Sequence, residues 1–173
     1  MTISANPTCR SCGAPLNLTL VDLGLSPPCE SFRSAAQQHE PEAFYPLRVY
    51  VCTQCWLVQL PEHISPAEIF SDYAYFSSYS DSWLAHAQRY VGMATERFGL
   101  GAESLVVELA SNDGYLLQHY LAAGIGVLGI DPTPGPVAAA RAKGIDSLQA
   151  FFGRQLADEL AGGGRRADVI HAN

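Results

Sequence analysis

Four of the five cysteines fall in two pairs, Cys9-Arg-Ser-Cys12 and Cys52-Thr-Gln-Cys55, with thirty-nine residues between the pairs. Two intervening residues let both sulfurs of a pair turn toward one ion. Gly13 suits the tight turn after the first pair, and four thiolates satisfy a tetrahedral Zn2+. The separation is wider than the ~15–20 residues of a compact finger and fits a ribbon that holds an insertion. A closed four-thiolate shell leaves no open coordination position, so the metal is expected to be structural. A disulfide pair or a redox dithiol is the competing reading of the same spacing. Cys29, in Ser-Pro-Pro-Cys-Glu-Ser-Phe, lacks a neighbour at that spacing and reads as a small buried apolar residue. His39 and His63 are surplus to a complete quartet.

A second group of chemistry-bearing residues lies further on, in Leu-Val-Val-Glu108-Leu-Ala-Ser-Asn-Asp-Gly114-Tyr-Leu-Leu. Glu108 falls near the end of an apolar strand and Gly114 at the start of a helix, so residues 110–114 form the turn between them. In an open α/β sheet such a turn lies over the carboxyl ends of the strands, where nucleotide-like ligands sit. The run does not match G-x-G-x-x-G, which a dinucleotide pyrophosphate favours. An acidic residue beside the turn suits a cationic ligand better than a diphosphate. Asp131 ends the next apolar run, twenty-three residues after Glu108, at the position where an acidic side chain accepts hydrogen bonds from ribose hydroxyls. The pair, in consecutive strand-helix units, points to an adenosine-type ligand.

These residues need elements to place them. Residues 1–65 hold every cysteine and only short extended runs, Leu16–Leu23 and Leu47–Val51, too little core to fold unaided, and form the metal-stapled lobe. Residues 66–99 read as an aromatic-rich helical connector, in which Trp83, Ala87, Tyr90, Val91 and Ala94 recur at a period of 3–4. From residue 100 onward, strand and helix patterns alternate through four apolar runs, the signature of a parallel, doubly wound sheet. Residue 173 follows directly on the fourth run, so the sheet reads as partial and the chain as a piece of a longer protein or an engineered fragment.

The 173 residues are 48% hydrophobic and 16% charged, against a typical ~25% charged, which marks a folded chain. The net charge of −7 repels phosphate backbones and anionic lipid, so neither nucleic acid nor a membrane surface is an expected partner. No apolar run approaches the ~20 residues of a membrane helix and the first residues do not form a signal peptide, so the chain reads as soluble and cytoplasmic.

Taken in order, the knuckles C-R-S-C and C-T-Q-C-W-L-V-Q-L, the tract D-Y-A-Y-F-S-S-Y-S, the turn E-L-A-S-N-D-G-Y-L-L and the segment A-D-V-I-H-A-N resemble the S-adenosylmethionine-dependent C-methyltransferases of deoxysugar biosynthesis. The resemblance implies an α/β protein with an N-terminal zinc-ribbon-like lobe, followed by part of a Rossmann-like, class I methyltransferase sheet. It implies structural Zn2+ on Cys9, Cys12, Cys52 and Cys55, and S-adenosylmethionine held around Glu108, Ala110, Asn112 and Gly114 with its ribose at Asp131. Phe151 and Phe152 line the adenine on this reading, with plain core as their alternative. Tyr73, Tyr75, Ser77 and Ser78 face a nucleotide-linked sugar substrate, or else belong to a tyrosine-rich packed surface.

The same resemblance places His171 and Asn173 at the end of the fourth strand, within reach of cofactor or substrate, and makes Tyr73, Tyr75 and His171 the catalytic candidates. Ala110 stands where methyltransferase turns more often carry glycine. The base-bearing loop of the family follows the fourth strand, so the 173 residues are expected to be inactive alone. Two rival classes share parts of the pattern: a nicotinamide-dependent oxidoreductase or epimerase, and a non-catalytic zinc-ribbon interaction module.

Overall fold

The computed structural model describes residues 7–70 and 73–172 and divides the chain into two compact units, Met1–Ile69 and Phe70–Asn173.

In the first unit, β1 (Leu18–Ser26) pairs antiparallel with β2 (Tyr45–Val51), which pairs antiparallel with the two-residue β3 (Val58–Gln59). A short helix, α1 (Pro66–Ile69), closes the unit. Its buried cluster is small: Cys9, Leu16 and Cys52, with Ala14, Tyr50 and Leu57 packed against them. Leu16 belongs to this cluster and not to the strand expected to begin there, because it lies under the first knuckle with its amide donating to the Pro7 carbonyl at 2.8 Å. Strand β1 starts two residues later and exposes nearly its whole length, including Leu18, Leu20, Leu23 and Leu25. Two register shifts interrupt its ladder to β2.

The second unit is a four-stranded parallel sheet in the order β6-β5-β4-β7, built from β4 (Leu105–Leu109), β5 (Gly126–Asp131), β6 (Ser147–Gln149) and β7 (Val169–Ala172). The 18-residue α2 (Asp81–Phe98) leads into it. Ser80 caps its first turn through the Trp83 amide at 3.3 Å, and Gly99 ends it in the left-handed conformation. Its buried stripe, Ala87, Val91 and Ala94, recurs at helical spacing and joins one core cluster with Leu117 and Tyr120 of the first crossover helix and Val106 and Val127 of the sheet, so this helix belongs to one unit with the sheet and is not a separate connector.

The crossovers are α3 (Leu117–Ala122), α4 (Pro134–Ala142) and α5 (Arg154–Gly162). One face of the sheet, with Val106 and Val127, packs against Leu117 and Tyr120 of α3 and Ala140 of α4. Val107, Leu128 and Ile130 on the opposite face meet Leu156 and Leu160 of α5. Each fully buried aliphatic side chain in these layers contributes roughly 1.5–3 kcal/mol relative to exposure. Helices on both faces leave the strand ends as the place for function: Glu108 lies in register with Gly129 on one side and His171 on the other, and Asp131 closes β5.

Candidate functional site

The two knuckles fold alike. Gly13 donates to the Cys9 carbonyl at 2.9 Å and Trp56 to the Cys52 carbonyl at 2.9 Å, and both turn residues have positive φ (75° and 63°). The four Sγ atoms lie within 4.8 Å of one another. The closest approaches run crosswise between knuckles, Cys9 to Cys55 at 3.6 Å and Cys12 to Cys52 at 3.5 Å. Four sulfurs ~2.3 Å from one zinc ion stand roughly 3.8 Å apart, so the donor set fits that metal. A disulfide needs sulfurs at ~2.05 Å, and all five thiols are free.

Buried Gln59 supports this set: its amide nitrogen donates to the Cys9 sulfur at 3.2 Å and its oxygen accepts the Arg10 amide at 3.0 Å. The Gln59 amide is the main reason the Cys9 thiol is drawn down to about 6. Backbone amides of Cys55 and Gln54 lower Cys52 in the same way. Cys29, expected to be buried, is exposed, because the turn around it has no core to enter.

In the second unit a cavity of about 540 Å3 opens over the carboxyl ends of β4 and β5. Of the residues expected at a ligand site, it brings together Tyr73, Tyr75, Ser77, Ala110, Asn112, Asp131, Phe151 and Phe152. The two phenylalanines are 51% and 42% exposed, which excludes the plain-core reading. Phe70, Trp83, Tyr115 and Thr133 complete much of the wall. No signal in the sequence set these four apart, since isolated aromatics and a threonine read as ordinary packing.

The turn from β4 to α3 carries Ala110 and Asn112 at φ 55° and 49°, a left-handed conformation that non-glycine residues adopt at a cost. Gly114, at φ 76°, has no alternative: a Cβ there would come within 2.2 Å of Ile145 Cδ1. Asp131 Oδ2 accepts the Asn112 amide at 2.9 Å, while Oδ1 accepts the Thr133 amide at 2.8 Å and the Thr133 hydroxyl. Three of the carboxylate's roughly four lone-pair sites are thereby filled, and one is left for a ligand hydroxyl.

Glu108 is not on the cavity wall. It is fully buried, and neither carboxylate oxygen meets a full hydrogen-bond partner among the described residues. Burial pushes its pKa up to about 8; the Tyr115 hydroxyl opposes the rise and the negative charges of Asp131 and Asp113 add to it. Gly114 is buried behind the wall, and Ser78 faces Lys143 instead of the cavity, its hydroxyl accepting from Nζ at 2.7 Å.

His171 lines a second cavity of about 400 Å3 with Trp83, His86, Tyr90, Tyr115 and Ile170. Both of its ring nitrogens are engaged, Nδ1 with the Tyr90 hydroxyl at 3.2 Å and Nε2 with the Tyr120 hydroxyl at 3.0 Å. Burial lowers the His171 pKa and raises that of Tyr120 to about 12. Asn173 lies outside the described residues. No helix of the described residues is long and apolar enough to cross a membrane.

Residues 9–70 match the family model described as "Putative zinc binding domain", whose name marks it as a methyltransferase family. Over 153 residues the chain is 33% identical to a protein of Streptomyces niveus named C-methyltransferase NovU. The aligned part is 88% of this chain and 36% of that protein, so the chain spans about a third of the length of the curated relative it matches. The cysteine quartet at the predicted spacing and the parallel sheet that follows it thus accompany similarity, along most of the chain, to a C-methyltransferase and, over residues 9–70, to this zinc-binding domain.

Proposed function

We infer that the second unit binds S-adenosylmethionine for transfer of its methyl group to a carbon of a nucleotide-linked keto-deoxysugar, and that the first unit holds one structural zinc ion. The observation that carries this reading is the cavity over β4 and β5, whose size falls within the ~300–1,000 Å3 of small-molecule sites. Its chemistry fits a nucleoside with a positive charge. Asp131 keeps one acceptor site for a ribose hydroxyl, Phe151 and Phe152 offer flat apolar faces to a purine, and Tyr73, Tyr75 and Trp83 present aromatic faces that attract a cation. The turn at residues 110–114 lacks the glycine pattern that cradles a pyrophosphate, which weighs against a nicotinamide cofactor. The relative's name, a C-methyltransferase, supports carbon as the acceptor.

When bound, the cofactor supplies an electrophilic methyl group on a sulfonium. The protein's own part is to hold the acceptor in line, exclude water and take a proton from the carbon that is methylated. Tyr73 and Tyr75 bring their side chains to the cavity and can hydrogen-bond an acceptor's keto or hydroxyl oxygens. His171, the third candidate, lines the neighbouring cavity with Tyr90, and burial lowers its pKa, which favours the neutral ring near pH 7.

Calorimetric titration of the 173-residue chain with S-adenosylhomocysteine and with NAD tests the reading. One site for S-adenosylhomocysteine and none for NAD is the expected result. Binding of NAD alone, or of neither compound, overturns it.

A further inference from the structure

The tyrosine-bearing segment 73–79 forms one wall of the large cavity, through Tyr73, Tyr75 and Ser77, yet little of it is buried. Ser77 is 8% exposed, whereas Tyr75 is 49% and Tyr79 95% exposed. Apolar burial therefore contributes little to holding it, and polar links to the β4–α3 turn take over. The Ser77 amide donates to Asn112 Oδ1 at 2.9 Å, and Asn112 Nδ2 donates to the Tyr75 carbonyl at 3.1 Å. The Ser78 amide donates to Asp113 Oδ1 at 3.3 Å. Lys143, at the end of α4, binds the Ser78 hydroxyl at 2.7 Å, the Asp113 carbonyl at 2.8 Å and the Asp113 carboxylate at 3.2 Å.

We propose that Asp113 and Lys143 latch segment 73–79 shut over the cavity, and that ligand enters and leaves by release of this latch. The proposal rests on the reading of the cavity as a ligand site and adds how that site opens. Two features make the segment suited to local opening. Its anchor is a handful of hydrogen bonds, and the side chain of Lys143 is about a third exposed, so the links can be exchanged for water without disturbing the sheet. The anchor is also joined to the ligand-facing carboxylate, because Asn112 gives its side chain to the segment and its backbone amide to Asp131. A ligand that engages Asp131 braces Asn112, and Asn112 braces the wall. Closure and binding are then one linked equilibrium, and Asp113 and Lys143 act on it as positioning residues that touch no ligand themselves.

The test compares the parent chain with Lys143→Met, Asp113→Asn and the charge-preserving Lys143→Arg, all in a Trp56→Phe background that leaves Trp83, on the cavity wall, as the one tryptophan. Amide exchange at Ser77 and Ser78 is expected to quicken by roughly tenfold in the first two variants, the loss of one charge-assisted hydrogen bond, with exchange in β4 and β5 unchanged. Acrylamide quenching of Trp83 should rise in parallel, and S-adenosylhomocysteine should dissociate faster by a similar factor, with Lys143→Arg close to the parent. Unchanged exchange at Ser77 and Ser78 overturns the latch. Faster exchange with unchanged Trp83 quenching overturns its role in opening the cavity. Absence of S-adenosylhomocysteine binding in the parent overturns the cofactor reading instead, and exchange and quenching still decide the latch.

Discussion

Glu108 is the residue whose position and chemistry pull furthest apart. The strand end brings it beside the turn, as its place in the sequence implies, but the side chain enters the interior, where a charged carboxylate is poorly solvated. With a pKa of about 8 against its ordinary 4.5, the folded chain keeps a proton between those values that the unfolded chain has released. Stability therefore declines as pH rises through that window, by at most about 1.4 kcal/mol per pH unit for this one group, and the decline stops above it. Glu108→Gln keeps the neutral hydrogen-bonding shape and has nothing to titrate. Its thermal midpoint should match the parent near pH 5 and exceed it increasingly toward pH 8; parallel curves for the two chains across that range would contradict the assignment. At this scale the sequence placed Glu108 and Asp131 near the ends of β4 and β5, but it did not show that Glu108 turns into the interior or that Asp131 also holds the turn. Which way a side chain points near the end of a strand depends on what packs on each face, and Asp131's use of three lone pairs on Asn112 and Thr133 depends on a turn whose positive φ values no residue pattern announces.

Among the elements, the knuckles were the most legible, since the C-x-x-C spacing specifies both a turn and a donor set. Gln59 was invisible to the same reading: it lies four residues beyond Cys55 and approaches Cys9 only because β3 pairs with β2. Groups that donate to metal-bound thiolates orient them and temper their charge, and their loss typically costs ~10–100-fold in metal affinity. Freshly purified chain is expected to contain one equivalent of zinc. Gln59→Leu should retain the stoichiometry and lose affinity by about that factor, as read by competition with a chromogenic chelator. Helix α2 shows the opposite case. Its apolar period was plain, but its role was misjudged, because periodicity reveals that a face will be buried without revealing against what. The partner is α3 and the core it shares with the sheet, which Ala87, Val91 and Ala94 join beside Leu117 and Tyr120.

For the molecule as a whole, the alternation of strand and helix after residue 100 sufficed for the parallel sheet, and the order β6-β5-β4-β7, in which the chain returns to the far side of β4, is that of a doubly wound sheet. The boundary between the units falls after residue 69 and not after 65, because α1, which begins at the Pro66 that reads as a break, closes the first unit. The two units differ in what stabilises them. The sheet has buried layers on both faces, whereas among its described residues the first unit buries three apolar side chains, two of them cysteines, and Gln59. Metal binding in such a unit is largely folding free energy.

That dependence changes the meaning of the leucines along β1. Leu18, Leu20, Leu23 and Leu25 stand 47%, 60%, 63% and 65% exposed on an edge strand, restrained by its pairing with β2 and by two register shifts that spoil a flat edge. If zinc leaves, the pairing goes with it, and a nine-residue segment of high apolar content is set free in solution. Zinc supply then governs colloidal behaviour as well as folding: a chelator should bring on turbidity within the time that it takes to strip the metal. Leu20→Lys with Leu23→Lys, exposed on the folded unit, should leave the zinc content unchanged and suppress that turbidity by light scattering. Clear solutions of the metal-stripped parent chain would show that the segment is harmless once released.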